Sequence, residues 1–153
     1  MQSPDVKSAL TGDWQGTKQL YMEPPPTPAI TSASHASVTS IAGGSFLQLS
    51  YTWTFEGEEQ SGVLLFGSDE ENNATVAWVD SFHMSSKIMF STGQADGASI
   101  DVRGSYQAPP GPDWGWRTQI RSISAGEFQL VMHNISPAGE EDLAVQIDYT
   151  RRG

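Results

Sequence analysis

Phe46-Leu47-Gln48-Leu49-Ser50-Tyr51-Thr52-Trp53-Thr54-Phe55 alternates apolar and polar side chains without a break. Leu47, Leu49, Tyr51, Trp53 and Phe55 share one face; Gln48, Ser50, Thr52 and Thr54 share the other. A period of two marks a strand buried on one side and wet on the other. Gly43-Gly44 before it and Glu56-Gly57-Glu58-Glu59 after it are turn signals. The chain therefore folds back on itself at both ends of this strand.

Upstream, Ser3-Pro4-Asp5 supplies the cap, the first-turn proline and the acid of a helix start, and Gly12 ends it. That predicts a short N-terminal helix over Pro4–Leu10. Gly12 to Tyr21 reads as a strand. Glu23–Pro28 holds four prolines and must be a loop, since proline fixes φ and lacks the amide a sheet needs. Ile30–Ile41 reads as the second strand. Downstream, Gln60–Gly67 is a strand, and Asp69–Asn73 turns the chain into the strand that carries Trp78. Lys87–Thr92 follows, then Asp96-Gly97, a two-residue hairpin signal. Ile100, Val102 and Tyr106 alternate with Asp101, Arg103 and Ser105, and Pro109–Asp113 is a loop. Trp114–Ile123, Phe128–Ile135 and Leu143–Arg151 complete the set, joined at Ala125-Gly126 and at Pro137-Ala138-Gly139.

The pattern predicts an all-β fold of about ten strands and no long helix. Consecutive hairpins suit an up-and-down antiparallel barrel, whose closure removes sticky edges. A two-sheet sandwich is the alternative, but sandwiches use longer crossings, and only the Glu23–Pro28 connection is long. Residues 1–153 are expected to form one domain.

Composition narrows the function classes. The net charge of −10 opposes nucleic acid and anionic membranes as partners, because both require a basic stripe. No apolar run approaches the roughly 18 residues of a membrane span. The chain has no Cys, hence no disulfide framework, thiolate metal site or cysteine nucleophile. The N-terminus has no basic or apolar signal region, and with the lack of Cys this predicts a cytoplasmic protein. The acidic runs at Glu56–Glu59, Asp69–Glu71 and Glu140–Asp142 read as solvated turns. Asp69–Asn73 lacks the alternating ligands and central Gly of a calcium loop.

Several motifs together carry a resemblance. They are Gly12-x-Trp14-x-Gly16, Gly43-Gly44 before Phe46-Leu47, Trp78-Val79-Asp80-Ser81 and a terminal Tyr149-x-Arg151. In this order they resemble the bacterial family called domain of unknown function 1579, over most of the chain. The resemblance implies a calycin-like barrel, related in shape to lipocalins and fatty-acid-binding proteins, and no established activity. The Gly-x-Trp opening is also similar to nitrobindin-type haem barrels. Those need an axial His near the chain's end, and the last strand here has none, so no cofactor is expected.

Thr75 to Met84 gathers the most ligand-competent groups: Trp78 on the strand, then Asp80, His83 and Met84 where it runs out. A zinc site wants three or four ligands, and only Asp80 and His83 can be named, so no metal is expected. Ser81, His83 and Asp80 make a triad on paper, but neighbours in one loop do not reach triad geometry, and no Gly-x-Ser-x-Gly is present. No catalytic residue is assigned. Asp80 reads either as a turn cap or as a ligand contact. His35 and His133 read as outward or structural. Trp53, Trp78 and Trp116 either fill the core or line a cavity. Arg117 points outward by parity, although an inward Arg anchoring a carboxylate is the fatty-acid-type alternative.

Three functions follow. The leading one is a non-enzymatic barrel that binds a small apolar or aromatic ligand with a polar head. The others are a structural or interaction protein, and an enzyme using Asp80 and His83 as an acid–base pair. Counting connections places the longer, proline-rich loops at one end, with four of the five Trp in the same halves of their strands. The ligand is expected to enter between Ser81–Ser86 and Pro109–Asp113. It would pack on Trp53, Trp78 and Trp116, with Met132 on the wall and Asp80 or His83 at its head. The opposite end is expected to be closed by Arg151 over Trp14.

Overall fold

The computed structural model describes residues 9–97 and 99–152. Ten strands succeed one another: β1 (Gly12–Leu20), β2 (Ile30–Ile41), β3 (Phe46–Phe55), β4 (Glu58–Ser68), β5 (Asn73–Asp80), β6 (Met89–Asp96), β7 (Ser99–Tyr106), β8 (Trp114–Ser124), β9 (Glu127–Ile135) and β10 (Glu141–Arg151). Each pairs antiparallel with its neighbour in sequence, and β1 closes on β10, so the sheet is a barrel rather than a sandwich. β2 and β3 have the bounds that alternation and turn residues predict.

Two expectations need correction. β6 begins at Met89 rather than Lys87. Met84 and Lys87 donate their amides to the carbonyls of Asp80 and Met84, so turn hydrogen bonds hold the preceding residues, and the β5–β6 ladder ends at Trp78 opposite Met89. Ile88, read as strand, is an exposed connector. The N-terminal helix is not supported: most of Pro4–Leu10 lies outside the described residues, and Ala9 and Leu10 alone, though helical, do not make one.

Inward parity selects the core. Trp14, Leu47, Leu49, Leu64, Phe66, Ile120, Phe128, Leu130, Ile147 and Tyr149 are all buried. Burying each large apolar side chain contributes about 1.5–3 kcal/mol. The end at which β1 begins is a packed floor. Trp14 meets Phe128 edge-on at 4.7 Å, and Phe128 stacks on Tyr149 at 4.9 Å. Arg151, paired with Trp14 across β1 and β10, lays its guanidinium 4.2 Å from the indole centroid. It also donates to the carbonyls of Ala9, Thr11 and Ala125.

The other end is looser. The β6–β7 ladder stops at Thr92 opposite Arg103. Gly104 still packs against Phe90 and Ser91, and the wall opens beyond it, at Met89–Phe90 and Ser105–Tyr106.

Candidate functional site

Tyr51, Gly62 and Asp80 occupy one row across β3, β4 and β5. A Cβ on Gly62 would lie 2.4 Å from the Tyr51 hydroxyl, so the glycine leaves room for the phenol to cross its strand. Tyr51 then donates to Asp80 Oδ2 at 2.5 Å and receives the Trp78 indole N–H at 3.0 Å. Trp53 Nε1 reaches the same Asp80 oxygen at 3.4 Å. Oδ1 accepts the amides of Phe82 and His83 at 2.7 and 2.9 Å, which folds the loop after β5. Asp80 is thus buried, a turn cap on one oxygen and an aromatic anchor on the other. Burial first, and then the Asp80 charge, push the Tyr51 phenol well above its ordinary pKa.

Lys18 enters this network from β1. It shares inward parity with Trp14, Gly16 and Leu20 and is 1% exposed. Its Nζ lies 3.2 Å from the Trp53 ring centroid and 3.3 Å from His83 Nε2. Burial lowers its pKa to about 7 against the pull of Asp80. His83 is held down at about 4, by burial and then by Lys18, so its ring is neutral at physiological pH. That ring packs among Phe82, Trp78, Trp53 and Trp116 at centroid distances of 5.0 to 5.9 Å.

Where β6 and β7 part, a cleft of about 800 Å³ opens. Trp78 and Trp116, stacked at 5.4 Å and 16°, border it together with His83, Met84, Met89 and Tyr106. Lys87 and Asp113 also line it. The cleft lies at the end where counting connections places the long loops.

The structure gathers Trp53, Trp78, Asp80, His83 and Trp116 at one end. Trp78, His83 and Trp116 border the cleft. Trp53 and Asp80 join His83 through stacking and hydrogen bonds but are not part of the cleft lining. Met132 is buried in β9 opposite Thr118 and does not border the cleft. The Asp80 carboxylate bonds the backbone amide of His83, whereas the ring nitrogen meets Lys18, so these two side chains do not form the acid–base pair considered above. Arg117 lies on the outer wall, where parity puts it, and not inward as a carboxylate anchor: it is bidentate to Asp101 at 2.9 and 2.6 Å and bonded to Glu141 at 3.1 Å. His35 is exposed, and His133 is half-buried on the outer side, near that ion-pair network. Among the described residues no three His, Asp or Glu side chains cluster as metal ligands would.

Sequence reasoning missed Lys18, Tyr51 and Tyr106 as site residues. The signal for Lys18 was its parity with Trp14 and Leu20; a charge in phase with an apolar face should have stood out.

The same barrel occurs in solved structures of low sequence identity. Rv2717c from M. tuberculosis is 13% identical, with all of each chain covered and a TM-score of 0.63. The S-type phycobiliprotein lyase CPES from Guillardia theta is 14% identical over 96% of this chain and 90% of its own, with a TM-score of 0.59. A protein of unknown function from the DUF3598 family of Nostoc punctiforme is 12% identical, with a TM-score of 0.56. That alignment covers 99% of this chain but only 50% of the other. At such identities the likeness is one of fold. No curated protein matches the sequence. The model of the family described as protein of unknown function (DUF1579) matches residues 7–151, and the chain belongs to that family.

Proposed function

We propose that this barrel binds a small, flat apolar or aromatic molecule through the cleft between β6 and β7. The observation that carries the reading is the cleft itself. It has about 800 Å³ of space, within the roughly 300–1,000 Å³ of small-molecule sites. Stacked Trp78 and Trp116 form its wall, and the polar His83 stands beside them. An aromatic ligand stacking on that wall would gain about 0.5–1.5 kcal/mol per ring contact beyond its area burial. Met84, Ser85, Lys87, Ile88, Gln107 and Asp113 complete the lining, and the polar head of the ligand meets His83. Asp80 serves the site from behind, holding the loop that carries His83.

The test is quenching of Trp fluorescence by a series of aromatic probes, with native mass spectrometry of the purified protein. Trp78→Ala and Trp116→Ala should each abolish binding. Substitutions at Asp96 or Gly97, in the turn at the packed end, should leave it intact. Unchanged binding in both Trp variants would refute the cleft as the site.

A further inference from the structure

The two charged groups behind the cleft are unevenly satisfied. Asp80, the interior anion, accepts from Phe82, His83, Tyr51 and Trp53, so both of its oxygens are engaged. Lys18, the interior cation, has a single hydrogen-bond partner among the described residues, His83 Nε2. An ammonium has only hydrogens to offer. While Lys18 is charged, Nε2 must accept, and the one proton of the neutral imidazole must sit on Nδ1. No group among the described residues bonds Nδ1. Nor is Nδ1 sealed in: the buried side-chain atoms without a partner are Trp116 Nε1 and His133 Nδ1. His83 borders the cleft. Nδ1–H is thereby left without a protein partner on a ring that borders the cleft.

We infer that the cleft selects aromatic acids, ligands whose carboxylate oxygen accepts from His83 Nδ1–H while the ring lies on the Trp78–Trp116 pair. The inference rests on the binding reading above and adds the chemical class of the head. A cationic or purely donating head would meet the wrong end of the dipole. The carboxylate's charge also favours ammonium on Lys18, which fixes the histidine tautomer in turn. Of the other titratable groups nearby, Lys87 is the one cation among the described lining residues that could also meet a carboxylate, and the His83 and Lys18 variants separate its contribution. Burial raises Tyr51, Tyr106 and Tyr149, which keeps them protonated. Lys87 and Asp113 line the cleft with opposite charges.

Three probes on one ring system test it: 2-naphthoate, 2-ethylnaphthalene and 2-naphthylmethylammonium. Their dissociation constants would be measured by Trp quenching and calorimetry against wild type, His83→Phe and Lys18→Met. Circular dichroism would confirm that each variant is folded. A charge-assisted hydrogen bond predicts that 2-naphthoate binds roughly tenfold or more tighter than the neutral probe. That preference, read as the ratio of the 2-naphthoate and 2-ethylnaphthalene dissociation constants within each protein, should vanish in both variants. Calorimetry in two buffers of different ionisation enthalpy should show proton uptake with 2-naphthoate near neutral pH, because Lys18 sits at about 7. Affinity for this probe should weaken as pH rises past that value, since the carboxylate stays ionised throughout. Equal affinity for acid and neutral probe, or preference for the cation, would overturn the acid assignment and leave the binding reading standing. If no member of the series binds, both fall together.

Discussion

Two cations lie on two indoles at opposite ends of this barrel, and they do different work. At the floor, Arg151 covers Trp14 at 4.2 Å and donates to three backbone carbonyls. At the mouth, Lys18 covers Trp53 at 3.2 Å and, among the described residues, has only a histidine nitrogen as a hydrogen-bond partner. Arg151 stays exposed, with each of its three nitrogens bonded to a carbonyl, so its contact is a fastening. Lys18 is buried with donors to spare, so its charge is costly and responsive to whatever enters the neighbouring cleft. The difference comes from surroundings rather than from the cation–indole contact itself. Guanidinium at a rim of carbonyls suits permanent pairing, whereas a desolvated ammonium shifts its pKa and can be switched.

The largest expected consequence of that contrast is in stability against pH. Lys18 falls from its ordinary 10.5 to about 7 on folding. Between those values the unfolded chain holds a proton that the folded chain has released, so stability rises with pH. The slope reaches at most about 1.4 kcal/mol per pH unit for one proton. Below the folded value both states hold the proton and this contribution is flat. His83, lowered from 6.5 to about 4, then acts in the same sense: stability falls as pH drops through that lower window. Tyr51 and Tyr149, raised by burial, act oppositely once pH passes the ordinary tyrosine range, because the unfolded chain then loses protons first. Urea unfolding from about pH 7 to about pH 9.5 should therefore show wild type gaining stability relative to Lys18→Met. Parallel curves for the two proteins would mean that Lys18 is not desolvated as described.

The next effect is steric. At Gly62 an added methyl meets the Tyr51 hydroxyl at 2.4 Å and the Val79 carbonyl at 2.7 Å. Gly62→Ala should cost about 1–3 kcal/mol and break the Tyr51–Asp80 bond, with a changed near-ultraviolet circular dichroism spectrum. At Gly126, in the floor turn, nothing lies within 4 Å of the added methyl. Gly126→Ala should stay within about 0.5 kcal/mol of wild type. A harmless Gly62→Ala would show that Tyr51 does not need this crossing.

How much of this was legible depended on whether information was local. β3 announces itself, since Phe46–Phe55 alternates strictly and is bracketed by turn residues. Closure follows from the run of short connections, each forcing an antiparallel neighbour. Trp78, His83 and Asp80 were legible as a group because they are near one another in sequence. Lys18 is 65 residues from His83 and meets it only because the closed barrel brings the inner face of β1 across to the loop after β5. Sequence separation hides such pairs even when parity marks each member. The opening between β6 and β7 was likewise illegible, because Met89–Phe90 and Ser105–Tyr106 look as strand-like as their paired neighbours. Ile88 misled for the opposite reason: a β-branched residue in an apolar run reads as strand, yet here it caps an exposed connector.

The smallest predicted effect tests whether the floor is independent of the mouth. Arg151→Met removes a cation–indole contact of about 0.5–2 kcal/mol and three hydrogen bonds to carbonyls. The side chain is exposed, so the freed carbonyls of Ala9, Thr11 and Ala125 regain water, and no buried group is left unsatisfied. The net loss should be about 1 kcal/mol, a few degrees in Tm for a chain of this size. Repeating the substitution in a Trp14→Leu background isolates the indole contribution. Coupling between the two positions should be about 0.5–1 kcal/mol in that cycle. Affinity for 2-naphthoate should not change, because Arg151 lies at the end of the barrel opposite the cleft. A weakened affinity would show that fastening the floor also shapes the mouth, and the two ends would then have to be treated as one coupled unit.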